Sequence, residues 1–207
     1  RPGVAPVCSP PSTTGTPFSV LSKGTLLKRD LPLLAEASRS VSVGLGVSIA
    51  IYDGALHASL EPGTPSPRAR LDLVRAIRAA GFDCGVLLAP VLPRLTDSAE
   101  QLESAVTQLA DAGATGVTVI PLHLRPGARE WFMAWLARER PDLVPAYERL
   151  YARGSYVTRD YREWLSRRVQ PLLARQGLDG SAPLRDGAAD SAPAAAGPPS
   201  PRQLSLL

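Results

Sequence analysis

Residues 85–92 read GVLLAPVL. A continuous apolar run of this length suits a strand buried on both faces, as in a parallel sheet. On its C-terminal side, Asp97 and Glu100 read as a capping-box-like helix start. Leu102, Val106, Leu109 and Ala110 then form an apolar stripe that ends at Gly113, and residues 116–122 (GVTVIPL) read as the next strand. On its N-terminal side lies a helix that opens on Ser66-Pro67, an N-cap followed by proline at the first helical position, and closes at Gly81. Before that helix, residues 41–51 (VSVGLGVSIAI) form a strand. Residues 30–40 form a helix with Pro32 in its first turn. Residues 17–21 (PFSVL) form a further short strand. Strands alternating with helices define parallel βα units. The fold class is α/β, with four units in either an open sheet or part of a barrel. Four units alone cannot close a barrel.

After Pro126 the pattern becomes wholly helical, at about 127–139, 142–153 and 158–175. The expected organisation is an irregular segment 1–16, a βα core 17–126, C-terminal helices 127–176 and a disordered tail 177–207. Residues 1–16 hold four prolines and no apolar periodicity. The tail is rich in Pro, Gly, Ala and Ser, with too little apolar surface to offset the entropy of ordering. The first residue is Arg, which leads to the expectation of truncation, processing or a frame shift. Half of a barrel also implies open edge strands and an uncovered apolar face, and hence aggregation, dimerisation or partial unfolding of the chain alone.

The 207 residues suffice for one domain, and 44% are hydrophobic. The net charge is +4, carried almost wholly by arginine, since Lys23 and Lys28 are the only lysines. Cys8 and Cys84 are too far apart for a metal motif and too few for a disulfide framework, so a cytoplasmic, reducing setting is expected. No run approaches the length of a membrane span, and residues 1–16 have no signal-peptide core. Walker, dinucleotide-binding, zinc-protease and nucleophile-elbow motifs are absent. His57 and His123 do not by themselves make a metal site.

Parallel α/β folds bind ligands at the carboxyl ends of their strands. That rule selects Ser22, Lys23 and Gly24 after the first strand, Ser48 in the second, Pro90 in the third, and Pro121, His123 and Arg125 after the fourth. Lys23 offers a fixed positive charge to a carboxylate or phosphate, and Ser48 offers a hydroxyl. His123 and Arg125 could hold an anion or move a proton. For each, a structural role remains an alternative reading. Residues 125–175 also hold eleven arginines, and most of the aromatics fall in the same region. Interleaved Arg and aromatic side chains can bind nucleic acid. However, Trp131/Trp135 and Tyr147/Tyr151 are spaced i, i+4, which marks helix faces packed into a core.

The stretch 61–67 (EPGTPSP), followed by Arg70 and then by GVLLAPVL, resembles the radical SAM proteins of the spore photoproduct lyase-like group. Residues 18–24 (FSVLSKG) resemble the third strand of that family, with its terminal T-K or S-K pair. The segment LHLRPGAREWFMAWL from Leu122 resembles an actinobacterial-type branch. The resemblance covers about residues 17–176 and implies a partial (β/α)₆ TIM-like barrel of which this chain supplies strands three to six. It implies S-adenosylmethionine as ligand, with Lys23 on the methionyl carboxylate, Ser48 on the ribose, and Ala89 and Pro90 lining the pocket. A [4Fe–4S] cluster and a reductant protein are implied for the intact family member. The C-x₃-C-x₂-C loop that holds such a cluster has no counterpart in this sequence. The resulting reading is an inactive part of a radical SAM enzyme whose parent activity cleaves S-adenosylmethionine to a 5′-deoxyadenosyl radical acting on an unknown substrate. Rival readings are a nucleic-acid- or partner-binding remnant, and a cluster-free barrel enzyme that takes an anion at Lys23 and Arg125.

Overall fold

The structure is a computed structural model that describes residues 15–180. The segment 1–14 and the tail beyond 180 lie outside the described residues. The elements run β1 (Phe18–Ser22), α1 (Leu27–Ala37), β2 (Val43–Ile49), α2 (Gly54–Leu60), α3 (Pro67–Ala79), β3 (Cys84–Val91), α4 (Ala99–Asp111) and β4 (Gly116–Pro121). Then follow α5 (Ala128–Glu139), a 3₁₀ turn (Pro141–Leu143), α6 (Val144–Leu150) and α7 (Arg159–Arg175). The four strands form one sheet in the order β1-β2-β3-β4, and every pair is parallel.

Side chains alternate between the two faces of a strand, and the faces differ sharply here. One bears Leu45, Val47, Ile49, Val86, Leu88 and Val117, all buried in one cluster with α1, α3, α4 and α7. The other follows the register Leu21↔Gly46, Gly46↔Gly85 and Gly85↔Gly116, with Ser48 opposite Leu87 one step further along. The centre of this face is glycine-rich, with Leu21, Leu87 and Ile120 as its larger side chains. At its two margins Leu21 and Ile120 are exposed by 48% and 43%. Edge strand β1 pairs on one side only among the described residues. The outer edge of β4 is met by the chain after α7, where Val117 N–H donates to Leu178 O at 3.1 Å. Leu178, which composition assigns to the tail, is buried in the main cluster.

A second cluster covers the carboxyl ends of the strands. Ala50 and Ile51 after β2, Leu92 after β3 and Leu124 after β4 meet Phe132, Trp135, Leu136, Leu143, Tyr147 and Tyr151 of the C-terminal helices. Two buried tyrosines fix this lid of helices to the strand ends. Tyr147 donates to Pro93 O and Tyr151 to Leu122 O, each at 2.7 Å. Trp131 departs from the i, i+4 reading: Trp135 is buried, whereas Trp131 is 54% exposed.

Helix starts show where local patterning misleads. The N-cap of α4 is Ser98, which exchanges hydrogen bonds with Gln101 in a capping box one residue beyond the Asp97/Glu100 reading. Asp97, freed from capping, turns inward. It accepts from Arg94 N at 2.8 Å and from the Tyr161 hydroxyl of α7 at 2.7 Å. Helix α1 begins at Leu27, before Asp30, so Pro32 falls inside the helix rather than in its first turn, at an exposed position. Helix α2 has no apolar stripe long enough to announce it, but Asp53 caps it by accepting from Leu56 N. Ser66 caps α3 as expected.

The Asp97–Tyr161 bond welds α7 to the loop before α4. Replacing Tyr161 with Phe removes a donor from a buried carboxylate and should cost about 1–3 kcal/mol, read as a lower urea midpoint at unchanged slope.

Candidate functional site

Lys23 follows β1 in a tight turn. Gly24 N donates to Ser22 Oγ at 2.9 Å, and the Ser22 hydroxyl donates to Gly24 O at 3.1 Å. The turn directs Lys23 along the rim of the sheet, where its Nζ donates to Glu61 Oε1 at 2.5 Å. Glu61 opens the EPGTPSP turn between α2 and α3. Gly63 in this turn has φ +75°, a conformation that glycine adopts without strain.

Arg70, in the first turns of α3, lies beneath Glu61 and is 1% exposed. Its Nη2 donates to Glu61 Oε2 at 2.6 Å and to Thr64 Oγ1 at 2.8 Å. Its Nε donates to Pro65 O at 2.9 Å, and its Nη1 to Ser48 O at 3.2 Å. His57 of α2 completes the cluster, with Nε2 at 3.2 Å from Thr64 Oγ1, 3.4 Å from Arg70 Nη2 and 3.6 Å from Glu61 Oε2. A buried guanidinium is tolerated only when it is paired and hydrogen-bonded. Here one carboxylate, one hydroxyl and two main-chain carbonyls meet that condition.

The network joins residues that sequence reasoning selected separately. Lys23 reaches Glu61, Glu61 reaches Arg70, and Arg70 reaches the main chain of Ser48. The Ser48 hydroxyl donates to Ala89 O on β3 at 3.4 Å, a long bond that competes weakly with a better acceptor. Lys23, Ser48 and Ala89 thus lie at the carboxyl ends of the neighbouring strands β1, β2 and β3, linked through Glu61 and Arg70, with Pro90 next in the chain. Lys23 is not a free cation; it is half-exposed and already engaged by Glu61. The sequence marked Glu61 and Arg70 as parts of a turn motif but left their charges without a role. His57 entered only as a rejected zinc ligand. The signal that could have found the trio was Arg70 on the apolar side of α3, beside the acidic head of the turn.

His123 and Arg125 lie elsewhere on the rim. Among the described residues neither side chain bonds to the network. His123 instead stacks on Tyr156, with ring centroids 4.0 Å apart and planes 13° apart. Main-chain pairing of Leu124 N with Ser155 O at 2.9 Å joins the two loops. Tyr156 is 66% exposed and Arg125 is exposed.

Burial opposes the charge on Glu61, but hydrogen bonds and Coulomb attraction from Lys23 and Arg70 outweigh it and hold the carboxyl below its ordinary value. Burial pushes the Cys84 thiol up to about 12, so it is a poor source of thiolate. Among the described residues no three His, Cys, Asp or Glu side chains stand together as metal ligands. These residues do not fit an iron–sulfur cluster. Lys23 presents a cation and Ser48 a hydroxyl at neighbouring strand ends.

The chain matches no family model. It is 57% identical over 169 residues to an uncharacterised protein of Mycobacterium tuberculosis (strain ATCC 25618 / H37Rv), covering 82% of this chain and 50% of that one. An uncharacterised protein of Acidianus two-tailed virus is 35% identical over 114 residues, covering 54% of this chain and 37% of its own. The chain thus spans about half the length of the mycobacterial relatives it matches. Among solved structures, it superposes on spore photoproduct lyase complexed with dinucleoside spore photoproduct with a TM-score of 0.55 at 19% identity, over 77% of this chain and 48% of that one. A doubly substituted form of that lyase with bound AdoMet and the dinucleoside gives a TM-score of 0.54 at 19% identity, over 77% and 48%. The four-stranded parallel sheet and its helices are therefore about half of the fold of spore photoproduct lyase. No described helix is long and apolar enough to cross a membrane.

Two outcomes test the network. Arg70→Met strands Glu61 in a low-exposure site without its internal partner and should cost about 3–5 kcal/mol, read by urea denaturation. Because the folded carboxyl of Glu61 is lowered, its stabilisation is complete above the unfolded value near 4.5 and is lost as pH falls through the folded one. Glu61→Gln should therefore flatten the acid limb of a stability–pH profile and leave its neutral-to-alkaline shape unchanged.

Proposed function

We propose that this chain is the S-adenosylmethionine-binding part of a radical SAM protein of the spore photoproduct lyase-like group. In the parent protein the bound cluster and S-adenosylmethionine supply reductive cleavage to a 5′-deoxyadenosyl radical that acts on an unknown substrate. The observation that supports the reading is that Lys23, Ser48 and Ala89 stand at the carboxyl ends of three neighbouring parallel strands in a sheet similar in fold to spore photoproduct lyase. Lys23 meets the ligand carboxylate as a point charge on a flexible stem. The Ser48 hydroxyl leaves its long bond to Ala89 O and donates to a ribose oxygen. Ala89 and Pro90 stand beside Ser48, and Gly46, Gly85 and Gly116 leave the centre of that sheet face without side chains. Tyr147 and Tyr151 hold the loops behind the rim against the C-terminal helices, which keeps water away from that side.

The described residues hold no ligand set for a cluster. The chain alone is read as a binding unit without the radical chemistry.

Titration calorimetry of the full 207-residue chain with S-adenosylmethionine tests the reading. Saturable 1:1 binding is expected, weakened about tenfold or more by Lys23→Ala, which corresponds to loss of about 1.4 kcal/mol or more. No binding by the unaltered chain would refute it, as would an affinity indifferent to Lys23→Ala.

A further inference from the structure

We propose that the hollow between the start of α4 and helix α7 is a binding site for a nucleoside phosphate, with the phosphate at Arg94, the ribose at Asp160 and the base at Trp164. The hollow has a volume of about 670 Å³, within the range of small-molecule clefts, and neither Lys23 nor Ser48 lines it. The site is therefore separate from the S-adenosylmethionine reading and stands or falls apart from it.

Along α7, Asp160, Trp164, Arg167 and Arg168 recur at helical spacing and line the hollow from one face of the helix. Arg94 lines it from the loop after β3. All three arginines are exposed. None of them has a carboxylate within ion-pair distance among the described residues, unlike Arg159 and Arg175 of the same helix, which pair with Glu163 and Glu103. Two carboxylates also line the hollow. Asp97 is already engaged by Arg94 N and the Tyr161 hydroxyl, which leaves Asp160. Glu100 is outside the lining and accepts from Ser98 Oγ at 2.9 Å.

Arg94 has φ +62°, a left-handed conformation that costs an arginine energy and that glycine adopts freely. Asp97 holds it there by accepting from Arg94 N at 2.8 Å. A strained arginine with no ion-pair partner points to a use for its side chain, and a guanidinium fork matches phosphate oxygens. Arg168 lies over the Trp164 ring, with Cζ 4.5 Å from the centroid, and the Tyr161 ring packs beside Trp164 at 5.3 Å between centroids. Guanidinium and indole together make a flat cationic surface on which a base can stack. Asp160, one helical turn from Trp164, offers an acceptor for ribose hydroxyls, as an acidic residue does in dinucleotide sites. A simple phosphate gains only the arginines and meets repulsion from Asp160. A nucleoside phosphate uses the cations, the carboxylate and the ring. Ser98 and Thr158, the N-caps of α4 and α7, border the same hollow, so the positive ends of two helices add to its field.

Calorimetry of the full chain with ADP, free of divalent cations, tests the site. Saturable 1:1 binding is expected, tighter than that of inorganic pyrophosphate and not displaced by S-adenosylmethionine. Arg94→Gly removes the guanidinium and relieves the backbone, so it should weaken ADP about tenfold or more without lowering the urea midpoint. If the midpoint does fall, Arg168→Gln, at an exposed helix position, replaces it with the same expected loss. Absence of ADP binding overturns the inference, as does an affinity unchanged by the substitution. Pyrophosphate bound as tightly as ADP overturns it by showing an anion site without nucleoside recognition. Displacement of ADP by S-adenosylmethionine overturns it by showing one shared site. A single-stranded oligonucleotide bound where ADP is not overturns it in favour of a nucleic-acid surface.

Discussion

A guanidinium in the interior is the constraint on which the rest of this site depends. Arg70 cannot shed its charge, so the surrounding chain must supply acceptors wherever its N–H groups point. Those acceptors come from the end of β2, the turn before α3, and Glu61. These bonds tie the end of β2 and the turn before α3 to one side chain. Glu61, fixed in this way, then fixes Lys23 at the end of β1. Charge compensation around one buried side chain thus links the ends of β1 and β2 to the intervening turn at the carboxyl end of the sheet.

The opposite end of the rim is held by different physics. Tyrosine hydroxyls from the C-terminal helices reach carbonyls after β3 and β4, and the apolar bodies of those rings fill the second cluster. Tyr161 and the buried carboxylate of Asp97 extend the same device to α7. The aromatic concentration of residues 131–164 is therefore spent mainly on packing, with Trp131 and Tyr156 as the exposed exceptions. Between the two anchored ends lies a sheet face whose centre is glycine. Leu21 and Ile120 are exposed at its margins, and β1 pairs on one side only among the described residues.

The repetition of strand and helix was legible because it depends on local patterns. GVLLAPVL suited a strand, Ser66-Pro67 suited a helix start, and apolar runs alternating with helices suited parallel pairing, although β3 is fully buried on one face only. Boundaries failed where two local solutions were close in energy. Ser98 and Asp97 are adjacent capping candidates, and burial of Asp97 against Tyr161 decided between them. Helix α2 was missed because seven residues carry too little periodicity to register.

The sequence by itself determined the α/β class, the order of the units and the strand ends at which Lys23, Ser48, Ala89 and Pro90 lie, because these follow from residue periodicity and chain connectivity. Only the tertiary structure decided that Lys23 is paired with Glu61, that Arg70 and His57 lie beneath that pair, and that His123 turns instead to Tyr156. Those contacts join residues from separate elements, and their energies depend on burial and distance, which no local pattern encodes.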